Sequence, residues 1–171
     1  MNDRPYDFYT HGASIWIDAP PERVWEIISD LGSSAQWAGS GQVLSLTKTT
    51  EGPNGVVTVF EAQEKVGAKF KSLSRITEYD PPRHIAWLST PSVMKNTPDD
   101  RWHRWSFTIK QDGGKTRLMH DVGVAKSAWP GRAFQLIGIV TSGGMKALSS
   151  GMDRTLANIK EQAEQREPVP A

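Results

Sequence analysis

Four histidines, at positions 11, 84, 103 and 120, hold most of the scope for chemistry near neutral pH, because imidazole alone changes charge there unaided. No two of them stand at a helical ligand spacing, and there is no HExxH pair to bind a catalytic metal. No serine sits in a G-x-S-x-G turn, so no nucleophile elbow is present. The chain has no cysteine, which removes disulfides, thiolate nucleophiles and thiolate-held metals together. Gly39 with Gly41, and Gly143 with Gly144, do not follow a strand as a dinucleotide loop would, and read as turns or a helix bend. These residues imply neither a metal nor an organic cofactor. His120 remains as a catalytic candidate, and its interest depends on the hairpin that must hold it.

That hairpin can be registered from the sequence. Strands over 102–110 and 116–124 flank Asp112-Gly113-Gly114-Lys115, and a two-residue Gly-Gly turn sets Phe107 opposite His120. Ile109 then faces Leu118, Trp105 faces Val122, and all six project to one side. Arg104, Ser106, Thr108, Lys110, Arg117, Met119 and Asp121 occupy the other. A one-residue slip would mix the two sets, so the apolar pattern supports this register. His120 is the titratable exception on the apolar face, able to orient a ligand carbonyl or phenol or to move a proton. Asp121 points the opposite way and cannot serve it. His103 shares the face about 13 Å away along a strand, too far for a joint metal site.

The remaining elements frame this hairpin. A strand over 13–18 leads through Pro20-Pro21 into a helix with the apolar stripe Val24, Ile27 and Ile28. Ser33 is placed to cap a second short helix that carries Trp37. Further strands are expected over 42–47, 56–62, 69–79 and 84–89, joined by Gly/Pro/Asn/Asp turns, which implies an antiparallel sheet. Phe134, Ile137, Thr141, Met145, Leu148, Met152, Leu156, Ile159 and Ala163 then recur every three or four residues. They form a helical stripe about 45 Å long.

Bulk composition agrees with a single domain. At 171 residues the chain can bury roughly 70% of its unfolded surface. The net charge of +1 supplies no general field for nucleic acid or anionic lipid, and DNA is not an expected partner. No apolar run is long enough to span a bilayer and no secretory leader is visible, so a cytoplasmic location is expected. The expected organisation is a flexible arm over 1–11, one domain over 12–165 and a disordered tail over 166–171. The chain is expected to be a monomer or homodimer.

Strand, helix, short helix, six strands and long helix, in that order, resemble the START/Bet v 1-like (SRPBCC) superfamily, which includes polyketide cyclase/dehydrase and lipid-transport proteins. The resemblance is carried by Ile17-Asp18-Ala19-Pro20-Pro21-Glu22-Arg23-Val24-Trp25 with Trp37 downstream, by Ile76-Thr77-Glu78-Tyr79-Asp80-Pro81-Pro82-Arg83-His84-Ile85-Ala86-Trp87, and by Gly114-Lys115-Thr116-Arg117-Leu118. It spans about residues 12–165 and implies an α+β helix-grip fold, with a curved antiparallel sheet of about seven strands around the C-terminal helix. It also implies a cavity between sheet and helix.

Candidate wall residues for that cavity are Trp37, Phe60, Phe70, Trp87, Trp105, Phe107, His120, Phe134, Ile137, Met145, Leu148 and Met152. Val93 and Met94, on a long loop over 90–100, are placed at its mouth. Aromatic and methionine walls suit an apolar lipid-, polyketide- or aromatic-like molecule. The functional expectation is a carrier or sensor of such a hydrophobic small molecule. One alternative is an aromatase/cyclase or dehydratase in which His120, with Tyr79 or a cavity hydroxyl, moves protons. Another is a protein- or ribosome-interaction domain using a basic patch of Arg101, Arg104, Lys110 and Arg117.

Overall fold

The computed structural model describes residues 8–39, 43–51, 57–66, 68–92, 103–125 and 144–165. Strand β1 (Phe8–Ile17) is followed by helix α1 (Pro21–Ser29), a 3-10 turn at Leu31–Ser33 and the short helix α2 (Ser34–Trp37). Strands β2 (Val43–Glu51), β3 (Val57–Val66), β4 (Ala68–Asp80), β5 (His84–Pro91), β6 (His103–Asp112) and β7 (Lys115–Ala125) come next, then helix α3 (Gly144–Glu164). The strands form one antiparallel sheet in the order β1-β7-β6-β5-β4-β3-β2, so the first strand closes on the last. This is the helix-grip α+β fold.

Local chemistry accounts for the element boundaries. Pro21 opens α1 where its missing N–H costs nothing, and Val24 and Ile28 bury the helix's inner stripe. β1 starts at Phe8, five residues before the expected strand, because its whole length finds partners on β7 from Ala125 to Thr116. Ser33 does not cap α2 with its side chain; its hydroxyl donates instead to Asp30 Oδ2 at 2.6 Å. The β6–β7 turn places Gly113 and Gly114 at φ of 56° and 83°, the left-handed pair that a two-residue turn requires. Phe107 accordingly opposes His120, Trp105 opposes Val122 and Ile109 opposes Leu118. The outer face of the pair is less uniformly wet than its residues suggest, since Ser106 is buried.

The register shifts within β2, after Val43 and after Lys48, and within β4 between Ile76 and Glu78. Such bulges bend a strand and raise its twist, which carries this side of the sheet around α3. The described part of α3 begins at Gly144; Phe134, Ile137 and Thr141 of the expected stripe lie outside the described residues. Within α3, Met152, Leu156, Ile159 and Ala163 are buried at spacings of four and three. Lys160 Nζ donates to the Trp16 carbonyl at 2.8 Å, and Glu164 accepts from the Asp18 N–H at 2.6 Å, tying the end of α3 to the β1–α1 corner. The Asp18 N–H bond, with a second from Lys160 Nζ to the Glu164 carboxylate, holds that carboxyl below its ordinary range. Among the described residues, no helix is long and apolar enough to cross a membrane.

Candidate functional site

A cavity of about 280 Å³ lies between the first half of α3 and the bent sheet. Five rings, those of Trp37, Phe60, Trp87, Trp105 and Phe107, supply much of its wall, with Leu31, Leu46, Leu148 and Met152 as aliphatic contributors. The rings touch in sequence. Phe60 meets Trp87 at 6.4 Å between centroids, Trp87 meets Phe107 at 6.0 Å, and Phe107 takes Trp37 edge-on at 5.8 Å. Such offset and edge contacts are the favourable geometries for aromatic pairs.

His120 sits within this ring system. It is only 5% exposed, stacked on Phe107 at 4.2 Å and 18° and on Trp105 at 5.6 Å and 22°. Its Nδ1 lies 3.1 Å from the Ser106 carbonyl oxygen. A carbonyl only accepts, so Nδ1 carries the hydrogen and Nε2 is left with a lone pair. Burial pushes the imidazole pKa down to about 4, outweighing the small upward pull of that bond, so the ring is neutral at pH 7. His103, whose ring lies 6.1 Å from Trp105, is likewise held down to about 4 by burial.

The second ionisable group on the wall is Glu64. Burial raises its carboxyl pKa, and a hydrogen bond from the Ser72 hydroxyl offsets the rise only in part. Ser74 and Ser89, both buried, add hydroxyls to the same wall. Ser34 Oγ and Trp37 Nε1 are buried and make no hydrogen bond among the described residues. Arg154 and Thr155 of α3 complete the polar set.

The segment carrying Trp37 is clasped to α3. Gly39 N–H donates to Thr155 Oγ1 at 2.8 Å, Arg154 Nε donates to the Gly39 carbonyl at 2.7 Å, and Asn158 Nδ2 donates to the Trp37 carbonyl at 3.3 Å. Thr155 passes its own hydrogen to the Gly151 carbonyl at 2.9 Å. Gly39 is required by this approach: a Cβ there would stand 2.3 Å from the Thr155 backbone nitrogen. It is a turn residue, as its type suggested, and also the point of contact between two backbones.

Of the residues expected at the cavity, Trp37, Phe60, Trp87, Trp105, Phe107, His120, Leu148 and Met152 are brought together around it. Phe70 is not among the wall residues; it lies on the inner face of β4 beyond Ser72 and Ser74, near the β3–β4 turn. Met145 is also off the wall, on the first turn of α3 and 48% exposed. Val93, Met94, Phe134 and Ile137 lie outside the described residues. Tyr79 is 41% exposed and packs edge-on against Trp25, away from the cavity.

Glu64 and the serines were missed, though a signal existed for one of them. Phe60, Ala62 and Glu64 alternate along β3, so period two places the carboxylate on the wall face. Serines carry no such mark. In the proposed basic patch, Arg104 pairs with Glu78 at 2.5 Å, and Arg117 donates to Ser14 at 3.0 Å and lies over the Trp16 ring at 5.8 Å. Arg101 lies outside the described residues. Among the described residues, no three His, Asp or Glu side chains are grouped to hold a metal ion.

Residues 12–164 match the family described as polyketide cyclase / dehydrase and lipid transport. No curated protein matches the chain. Among solved structures, the fold is shared with a START superfamily protein from Mycobacterium smegmatis at 13% identity and a TM-score of 0.63, covering 91% of this chain and 97% of that one. It is shared too with the Zhui aromatase/cyclase from Streptomyces sp. R1128, at 16% identity and a TM-score of 0.67 over 92% of this chain and 94% of that one. The di-domain ARO/CYC BexL from the BE-7585A biosynthetic pathway aligns at 18% identity and a TM-score of 0.61, over 93% of this chain and 51% of its own.

Proposed function

The chain belongs to the polyketide cyclase / dehydrase and lipid transport family, and we propose that it binds a ring-containing apolar small molecule beneath α3, as a cytoplasmic carrier or sensor. The observation that carries this reading is the ring-lined cavity of about 280 Å³. A packed core of this size does not keep such a space empty without cost, because its lining forgoes dispersion contacts that a ligand restores. The volume is near the lower end of small-molecule sites, which suits two or three fused rings better than a long acyl chain.

The test is a titration with 2-methoxynaphthalene, followed by quenching of tryptophan fluorescence and by native mass spectrometry. Saturable one-to-one binding, weakened at least tenfold in Phe107→Ala, is the expected result. Absence of both a bound mass and any quenching defeats the reading.

A second reading is favoured by one specific observation: Glu64 and His120 share the wall, one holding its proton more tightly than usual and the other staying neutral. Such a pair suits proton transfer in a cyclisation or dehydration. Under this reading the cavity folds a flexible polyketide-like substrate, and turnover falls by at least 10²-fold in His120→Ala. The interaction-domain reading has less support, since Arg104 and Arg117 are both engaged within the chain.

A further inference from the structure

We propose that His120 makes the cavity selective for a ligand that donates a hydroxyl hydrogen, a phenol or an enol, to its Nε2. This rests on the binding reading above and names the polar feature its ligand must carry. Three observations converge on it.

First, the tautomer is fixed by a neighbour that has no alternative role. The Ser106 carbonyl oxygen stands 3.1 Å from Nδ1 and can only accept, so the single ring hydrogen is on Nδ1. Nε2 is then purely an acceptor. Secondly, the ring cannot readily turn to exchange its two edges. It is clamped between Phe107 and Trp105, and a flip about its axis would replace the N–H at Ser106 with a C–H. Thirdly, the described residues give Nε2 no hydrogen-bond partner, although the residue lines the cavity and is 5% exposed. An acceptor on a ring-lined cavity wall gains a hydrogen bond there only when a donor reaches it.

These constraints discriminate between ligand oxygens. A carbonyl or ether would set one lone pair against another at Nε2, while a hydroxyl on the same ring would form a hydrogen bond. The apolar body of the ligand gains equally in both cases. Selectivity therefore comes from one atom, in the way that a site built for a hydroxyl rejects the analogue lacking it.

The experiment compares 2-naphthol with 2-methoxynaphthalene, which shares its ring system and lacks the donor. In the unaltered protein 2-naphthol should bind at least tenfold more tightly. His120→Phe keeps a ring in the stack and should abolish that preference, so that the variant binds the two probes with equal affinity. So that the test does not depend on the variant's folding, the unaltered protein is also read by 15N NMR of its histidines. The His120 Nε2 resonance should report an unprotonated nitrogen that shifts on adding 2-naphthol and not on adding the ether. Equal affinity for the two probes, a preference that survives in His120→Phe, or a protonated Nε2 would each overturn the proposal while leaving the binding reading intact. If neither probe binds, the binding reading falls and takes this proposal with it.

Discussion

From Leu156 to Ala163, helix α3 lies on a filled core in which Ile17, Val24, Ile28, Leu118 and Ile159 are all fully buried. From Ala147 to Thr155 the same helix roofs the cavity. One apolar stripe runs through both halves, so the helix does not create the difference. Its partners do. The filled half faces branched aliphatic side chains from β1, α1 and the β6–β7 hairpin, which interdigitate closely. The hollow half faces rings too wide to close on one another, serines too small to reach across, and strands bent by bulges. A cavity arises here by mismatch of side-chain size on a curved sheet.

The largest effects should separate the halves most sharply. Ile159→Ala removes a side chain with no exposed surface from the filled half and should cost about 4 kcal/mol, read from urea unfolding. Its effect on 2-methoxynaphthalene affinity should stay within about twofold. Met152→Ala, one turn and more earlier, borders a space that already exists and should cost about 2 kcal/mol while weakening the probe about tenfold. Equal binding losses in the two variants would erase the distinction between the halves. Gly39→Ala acts on the clasp that joins α2 to the hollow half. Its Cβ would meet Thr155 backbone nitrogen at 2.3 Å and Arg154 Cβ at 2.4 Å, so backbone must move. A loss of about 3 kcal/mol is expected, with weaker probe binding through displacement of Trp37.

The two halves were also unequally legible in the sequence. The filled half follows from periodicity: Val24 and Ile28 on α1, Ile109 and Leu118 across a turn that two glycines pin, and the spacing from Leu156 to Ala163. The same hairpin arithmetic located His120 opposite Phe107, as found. The hollow half was legible only in its large residues. Periodicity assigns a face and not a depth, so it cannot separate Phe70 and Met145, which lie off the wall, from the residues that reach it. Glu64 could have been read from alternation with Phe60 and Ala62. Ser74 and Ser89 could not, because a small hydroxyl on a strand looks the same whether it borders solvent or a void. Nor did residue type reveal that Gly39 is a backbone contact as well as a turn, since its counterpart at Thr155 is 116 residues away.

Acid should weaken the hollow half selectively. Holding His120 at about 4 instead of the ordinary 6.5 corresponds to about 3 kcal/mol of stability that depends on a neutral ring. The unfolded chain takes up the proton first as pH falls. This contribution is therefore intact above about pH 6.5, is lost as pH falls from 6.5 to about 4, and changes no further below that. His103 acts in the same direction over the same window. Glu64 acts oppositely, because its raised carboxyl pKa makes the fold the better proton acceptor as pH falls toward 4.5. Urea midpoints measured from pH 7.5 to 4 should thus fall in the unaltered protein and fall less steeply in His120→Phe. Parallel curves would show that the His120 ring is not kept neutral by burial.

The smallest effects concern one buried hydroxyl in each half. Thr116, in the filled half, is 1% exposed and donates to the Ala19 carbonyl at 2.6 Å. Thr116→Val keeps the shape, removes the donor and strands that carbonyl, which should cost about 1–2 kcal/mol. Ser34, in the hollow half, is 5% exposed and its Oγ has no partner among the described residues. Ser34→Ala removes a polar atom that gains nothing from burial and places a better helix former in α2. The Ser34 carbonyl still accepts from Ala38 N–H at 2.8 Å, so the helical turn is retained. Stability should be unchanged or higher by up to about 1 kcal/mol. A loss larger than that would mean that the Ser34 hydroxyl is paired after all. The filled half would then differ from the hollow half in how tightly it packs, and no longer in how completely its polar groups are satisfied.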